Sequence, residues 1–295
     1  MSGFPRCAAW LAAACLGLLV GCHTFKIPGI GGDKADKIEK DDKDDVPGRP
    51  GKFSFRVSQY VFYSDFEIKR DLPIFRELSD LRDQVYRELQ LAPPGSDTLI
   101  HVYLFGDEKH YKDFIEAKYP GLPGRRAFFM EEQPRGLGKG ELLVFTFWSS
   151  RIRLDLRHEL THALLHSVLK EVPLWLDEGL AEYFELPPTW NGLNRTHVQV
   201  MRDKGIRPDL ARLEQLSEVK DMDSDRYREA WAWVYLMLRA SPEAKDVLLA
   251  YLQQLRTKPN PGPLQPRLAA VIPAPDDTLD RQLARLSDEQ RAGRP

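Results

Sequence analysis

The segment RHELTHALLH, residues 157 to 166, contributes most to the interpretation of this sequence. It places His158 and His162 four residues apart, with Glu159 directly after the first histidine. On an α-helix, residues four apart lie about 40° apart around the axis and about 6 Å along it, so both imidazoles can hold one metal ion. Glu159 can then reach a water molecule on that ion, which is the physical reason for the H-E-x-x-H spacing.

A third ligand is predicted in the next helical segment, VPLWLDEGLAEYFE, residues 172 to 185. Two histidines and one glutamate form a zinc site whose fourth position stays open for water, and Glu178 is the predicted third ligand. Glu182, one turn later, is predicted to accept the other ring N–H of a ligand histidine and to fix its orientation. Gly179 costs a helix about 1 kcal/mol relative to alanine, which indicates close packing there. The alternatives are packed histidines and solvated glutamates.

These two segments resemble the gluzincin metallopeptidases, of the thermolysin and aminopeptidase type, and especially the small bacterial proteins called peptidase MA-like. In that family a W-L-x-E-G-x-A segment carries the third zinc ligand. The resemblance implies a zincin-like fold, a single Zn²⁺ held by His158, His162 and Glu178, and Glu159 as the general base. It also implies a peptide or protein substrate. The close match covers residues 157 to 185, and a looser one extends over residues 53 to 256.

The segment DRYREAWAWVYLML, residues 225 to 238, resembles the family's helix that bears a Tyr-x-x-Gly/Ala pattern. On this resemblance Tyr227 is the predicted donor to the oxyanion, with Tyr235 and His197 in reserve. The alternative is that Tyr227 only packs in an aromatic-rich helix. His166 lies one turn beyond His162 and is expected at the surface or beside a ligand.

The N-terminal residues 1 to 21 are predicted to be a lipoprotein signal peptide. The apolar stretch from residue 7 to 20 is shorter than the roughly 20 residues of a membrane span but suits a signal sequence, the alternative being a short membrane anchor. LVGC, residues 19 to 22, resembles a bacterial lipobox, which implies a lipid on Cys22 and attachment to a membrane of the cell envelope, facing the periplasm or the exterior. Residues 22 to 52 include DKADKIEKDDKDD and are predicted to form a disordered, charged tether.

Composition limits the kinds of partner and metal site that the rest of the chain can provide. The formal net charge is -2, which does not favour a nucleic-acid partner. All three cysteines, Cys7, Cys15 and Cys22, lie in the first 22 residues, so the folded region has no thiolate. Any metal ion in that region must therefore be held by histidine and carboxylate side chains.

Periodicity predicts strands followed by helices, and hence an α+β domain over residues 53 to 256. A Pro-rich loop and a C-terminal helix are predicted over residues 257 to 295. The predicted strands are 53–62, 99–105, 126–131 and 141–147, and the main predicted helices are 71–91, 107–119, 150–170, 173–185, 227–239, 242–255 and 277–291. Strands 126–131 and 141–147 are expected to form a hairpin that is either ordinary or offers an edge to an extended peptide. The resemblance favours 141–147 as the strand beside the site.

The sequence thus favours a zinc-dependent metallopeptidase in which Glu159 is the general base for a water activated by zinc. Two alternatives stay open: a non-catalytic metal-binding envelope lipoprotein, and a zinc hydrolase that acts on a cell-wall amide. The substrate and the choice between exo- and endopeptidase are not indicated.

Overall fold

The computed structural model describes residues 48–120, 122, 124–132 and 140–292. The predicted signal peptide, Cys22 and most of the tether lie outside these residues. The strands are β1 (Phe53–Val57), β2 (Tyr60–Ser64), β3 (Ile100–Phe105), β4 (Ala127–Glu132) and β5 (Glu141–Phe147). The helices are α1 (Pro73–Glu88), α2 (Glu108–Lys118), α3 (Ile152–His166), α4 (Leu174–Phe184), α5 (Arg195–Lys204), α6 (Leu210–Leu213), α7 (Ser224–Arg239), α8 (Pro242–Leu255), α9 (Gln265–Ala269) and α10 (Pro275–Arg291).

The described strands form one sheet in the order β1-β2-β3-β5-β4. Strands β2, β3 and β5 run parallel, and β1 and β4 are antiparallel to their single neighbours. The predicted hairpin is confirmed, with Ala127 opposite Thr146 and Glu132 opposite Glu141. However, β5 is an interior strand between β3 and β4, so among the described strands β4 is the outer member of this hairpin.

The segment predicted as one strand over residues 53 to 62 is instead a tight hairpin, β1 and β2. Its turn places Ser58 at a φ of 54°, in the left-handed region that favours glycine. No glycine marks this turn, and the alternation of apolar residues continues across it. Phe55 and Phe62 face each other in the hairpin and stack with ring centroids 5.2 Å apart.

Helices cover both faces of the sheet and continue beyond it. On one face α2 encloses a small aromatic cluster that includes Phe114 and Phe145. The other face packs against α1 and α3, and this core extends into the helical half formed by α4, α7 and α8. Leucines of α9 and α10 belong to the same core. The α+β class, with a small N-terminal sheet followed by a helical half, is confirmed.

Local signals explain where individual helices agree with prediction or differ from it. Asp107 caps α2 as predicted, since its side chain accepts from the backbone N–H of His110 at 2.9 Å. Helix α3 is shorter than predicted, from Ile152 to His166. Helix α5 was not predicted, because Val198 and Met201 are its only buried residues, although Asn194 and Gly205 cap its two ends. Among the described helices, none combines the length and apolar character needed to cross a membrane.

Candidate metal centre

The three predicted ligands converge on a common point. Helix α3 presents His158 and His162 on one face, and the Nε2 atom of each lies 3.4 Å from Oε2 of Glu178 on α4. Zinc bonds of about 2.0–2.2 Å in a tetrahedral arrangement place neighbouring ligand atoms about 3.3–3.6 Å apart. The spacing of these side chains therefore suits one small divalent cation.

The surroundings of Glu178 test whether a cation fits. Its side chain is 4% exposed, and Oε2, the oxygen that faces both histidines, is buried without a hydrogen-bond donor. Burial alone would raise the pKa of Glu178, but His162 and His158 hold it well below its ordinary value. A buried, ionised carboxylate is costly unless a positive charge compensates it. Without a metal ion the two histidine rings supply that charge, and a divalent cation could take the place of their protons, so the donor set fits a metal ion.

Helix α4 can approach closely enough because residue 179 is glycine. A Cβ atom there would lie 2.6 Å from the carbonyl oxygen of Ala230 and 2.9 Å from a methyl group of Val234, both on α7. The close packing predicted at Gly179 is thereby confirmed. Because Glu178 directly precedes Gly179, the contact between α4 and α7 also determines the position of Glu178, the predicted third ligand.

The C-terminal end of α4 is fixed to α3 by Arg157, a buried side chain. Its guanidinium donates to the carbonyl oxygens of Phe184 (2.7 Å), Leu186 (2.8 Å) and Glu185 (3.0 Å). These bonds satisfy carbonyl groups that a helix end leaves without partners. They also bring Glu185 next to His158.

Each ligand histidine has a carboxylate at its other ring nitrogen. Oε2 of Glu185 lies 3.1 Å from Nδ1 of His158, and Oδ2 of Asp177 lies 3.0 Å from Nδ1 of His162. A carboxylate at Nδ1 fixes the ring orientation and leaves Nε2 free for a metal ion. Neither carboxylate was predicted from the sequence.

The role predicted for Glu182 requires a correction. Its Oε2 lies 2.8 Å from Nε2 of His197, on α5, and Glu185 occupies the place beside His158 that was assigned to Glu182. The reason is tertiary: α5 supplies a partner for Glu182, and Arg157 sets the position of Glu185. Glu182 remains close, because one oxygen of Glu182, one oxygen of Glu185 and a ring nitrogen of His158 lie within 4.8 Å of one another.

His166 contacts Asp177, which in turn contacts the predicted ligand His162. It therefore occupies the second of its two expected positions. Its side chain is 2% exposed, and Nε2 lies 3.1 Å from the same Oδ2 atom of Asp177 that faces His162. Phe129 of β4 covers this pair, with ring centroids 5.1 Å from His166 and 6.4 Å from His162. Asp177 therefore links two histidines that are one helical turn apart.

Glu159 directly follows His158 on α3, and its side chain is buried. The residue is 7% exposed, and among the described residues no side chain hydrogen-bonds to its carboxylate. Burial raises the pKa of Glu159, opposed by the neighbouring His158 and His162. A carboxylate with a raised pKa accepts and holds a proton more readily at neutral pH.

Tyr227, on α7, extends to the predicted metal ligands. Its hydroxyl, predicted to donate to a substrate oxyanion, contacts Glu178 instead. Its hydroxyl donates to Oε1 of Glu178 at 3.2 Å and accepts from Nη2 of Arg125 at 2.6 Å. Nη1 of Arg125 lies 3.9 Å from the same Oε1 atom. Of the two reserve donors, His197 pairs with Glu182, and Tyr235 stacks on Trp231 with centroids 5.4 Å apart.

Sequence reasoning missed Arg125. It lies in the loop before β4, outside any helical or strand pattern, and more than 100 residues before Tyr227 in the chain. Only the pairing of β4 with β5 and the packing of α3 beside them bring it to the ligands. No local signal in the sequence marks such a residue.

Comparison with protein families gives a match over the part of the chain that carries this cluster. A family model described as protein of unknown function (DUF1570) matches residues 154–261. The matched segment carries His158, Glu159, His162, Glu178 and Tyr227, and it excludes the sheet and Arg125. No curated protein matches the chain. Because the matched family has no assigned function, the resemblance to gluzincins stays a prediction.

Proposed function

We propose that this protein is a zinc-dependent metallopeptidase whose zinc ion is held by His158, His162 and Glu178. The observation that carries the proposal is the convergence of two Nε2 atoms on the buried Oε2 of Glu178, with the carboxylate of Glu159 close enough to both histidines for their charge to affect its pKa. When bound, zinc would supply Lewis-acid chemistry and lower the pKa of a water molecule.

Glu159 would carry the proton between water and the leaving group. Its carboxylate takes one proton as the water oxygen bonds to the carbonyl carbon, and it returns that proton to the amide nitrogen as the C–N bond breaks. The second proton of the water also ends on the amine, so the products are one carboxylate and one ammonium group. The buried position of Glu159 suits this role, because burial favours the protonated form that exists between the two transfers.

The outer position of β4 among the described strands supports a peptide as the substrate. This strand is the outer member of its hairpin and packs against α3, and its Phe129 faces the rings of His162 and His166. An extended peptide that added to this edge would run beside the metal ligands. Edge pairing uses main-chain hydrogen bonds, which any peptide offers.

The decisive experiment compares Glu159→Gln with wild type in the full chain. We expect both proteins to retain one zinc ion, and we expect the variant to cleave casein-derived peptides about 10²–10⁴-fold more slowly. Glu243→Gln, an exposed position on α8, is the matched control and should cleave normally. An undiminished rate in Glu159→Gln would remove Glu159 from this role.

The same assay separates the two alternative functions. Stoichiometric zinc with no cleavage of any peptide would favour a non-catalytic metal-binding protein. Release of amines from peptidoglycan but not from peptides, abolished by chelation, would favour a cell-wall amidase.

We also propose that Cys22 carries a lipid that attaches the chain to a membrane of the cell envelope. The support is the sequence of residues 1 to 22 alone. Replacing Cys22 with alanine in the full chain should move the protein from the membrane fraction to the soluble fraction and abolish the incorporation of labelled palmitate. Unchanged labelling would contradict the assignment.

A further inference from the structure

The single proton of the Tyr227 hydroxyl is already engaged. It is donated to Oε1 of Glu178 at 3.2 Å, while the oxygen accepts from Arg125 at 2.6 Å. If the hydroxyl turned toward a substrate, Oε1 of Glu178 would lose its hydrogen bond. The arrangement therefore makes Tyr227 a support for the third ligand, with Oε1 held and Oε2 turned to the histidines.

By contrast, most N–H donors of the Arg125 guanidinium make no hydrogen bond to the described residues. It carries five N–H groups, and within the described part of the chain its only hydrogen bond goes to Tyr227. Its side chain is 34% exposed, whereas that of Glu178 is 4% exposed. Nη1 lies 3.9 Å from Oε1 of Glu178, which is within ion-pair range but too long for a hydrogen bond, so the contact with Glu178 does not use an Arg125 N–H donor.

The location of Arg125 also suits contact with a substrate. It precedes β4, the edge strand, by two residues, so a peptide paired with that edge would pass its side chain. The backbone is anchored, since the Tyr111 hydroxyl donates to the Arg125 carbonyl oxygen at 3.0 Å. The guanidinium carbon lies 5.9 Å from the ring centroid of Tyr227. A cation held in this way is preorganised to stabilise negative charge that develops near the ligands.

We propose that Arg125, rather than Tyr227, is the catalytic residue that donates to the peptide carbonyl oxygen as it becomes negative, and that Tyr227 is a positioning residue for Glu178. The inference rests on the proposed function. In chemical terms, the water oxygen bonds to the carbonyl carbon, the C=O electron pair moves onto the oxygen, and the Arg125 N–H groups stabilise that charge until the C–N bond breaks.

The test uses the zinc-loaded full chain with three variants, Arg125→Met, Arg125→Lys and Tyr227→Phe. Arg153→Met, an exposed arginine on α3, is the matched control, and circular dichroism verifies folding. Four quantities are measured: zinc affinity by chelator competition, kcat, KM, and the affinity for a phosphinic tri-alanine peptide, whose charged tetrahedral phosphorus resembles the reacting carbon.

For Arg125→Met we expect full zinc content, a KM within about threefold of wild type, and losses of about 10²–10³-fold in both kcat and phosphinate affinity. Arg125→Lys should recover part of this loss, because an ammonium supplies the charge without the planar fork. Tyr227→Phe should weaken zinc binding about 10–100-fold, as loss of a group that orients a ligand does, and should lose less than about tenfold in kcat at saturating zinc.

Three results would overturn the proposal. One is a kcat within threefold of wild type in Arg125→Met, and another is loss of zinc from that variant, which would make Arg125 a support for the metal. The third is a larger loss of kcat in Tyr227→Phe than in Arg125→Met at saturating zinc. If wild-type protein cleaves no peptide, the proposed function fails, and the phosphinate affinities alone then test Arg125: equal affinities in wild type and Arg125→Met would refute its role.

Discussion

Oδ2 of Asp177 lies 3.0 Å from Nδ1 of His162, while Nε2 of the same ring faces Glu178. The carboxylate thus lies at the ring nitrogen that is turned away from Glu178, and His166 contacts the same Oδ2 atom. We predict that Asp177→Asn lowers zinc affinity about 10–100-fold, the usual effect of removing a group that orients a ligand histidine. Chelator competition measures the change.

A suitable control for this prediction is Asp113→Asn. Asp113 pairs with Lys109 on the exposed side of α2, so its replacement should leave zinc affinity unchanged. Equal affinities for Asp177→Asn and wild type would show that packing alone orients His162.

The contact between α4 and α7 predicts the effect of Gly179→Ala. The added methyl group would meet the backbone of Ala230, which cannot move without shifting α7. We expect a net loss of about 1–3 kcal/mol in the free energy of unfolding, because overpacking exceeds the gain of about 1 kcal/mol in helix propensity. Zinc affinity should fall as well, since Glu178 moves with the helix.

Denaturant unfolding and zinc titration of the same sample check this prediction. Gly51→Ala is the control, since an added Cβ there meets only one atom, at 3.9 Å. A Gly179→Ala variant as stable as wild type would mean that the helices separate without cost.

The clustering of His158, His162 and Glu178 could be predicted because the information is local. His158 and His162 are spaced by one helical turn, and Glu178 follows on a short apolar helix whose glycine indicates close packing. Each feature is contained in fewer than about 15 residues, the length over which helical periodicity is informative. The α+β order of elements could be predicted for the same reason.

Features that depend on tertiary contacts could not be predicted. Glu182 and Glu185 both lie near the end of α4, and the sequence does not distinguish which of them reaches His158. That choice depends on Arg157 and on α5, a helix with too few apolar residues to be recognised. Arg125 is an extreme case, because it comes to the ligands only through strand pairing.

Arg157 is expected to stabilise the end of α4. Its replacement by methionine leaves three buried carbonyl oxygens without their donor, so we expect a loss of about 2–4 kcal/mol in the free energy of unfolding. Arg153→Met, on the exposed side of the same helix, should change stability by less than about 0.5 kcal/mol. Thermal and denaturant unfolding measure both variants, and similar values would contradict the capping role.

Metal binding is expected to depend strongly on pH. Burial lowers the pKa of His162, but Asp177 and Glu178 outweigh it and raise the pKa to about 10 in the metal-free protein. The pKa of His158 is also raised, by Glu178 and Glu185, against the effect of burial. Both rings therefore hold a proton on Nε2 at neutral pH, and zinc binding releases up to two protons.

The direction in which stability and zinc affinity change with pH follows from these raised pKa values. The stabilisation that the charged His162 ring gives the metal-free protein is complete below about pH 6.5 and is lost as the pH rises through about 10. The stabilisation by the charged His158 ring is lost in the same direction. Proton release favours zinc over the same interval, by up to about tenfold per proton and pH unit. The difference in Tm between zinc-loaded and metal-free protein should therefore widen from pH 6 to pH 9, and calorimetry in buffers of different ionisation enthalpy should count the protons. A difference in Tm that stays constant over this range would show that the rings are neutral before zinc binds.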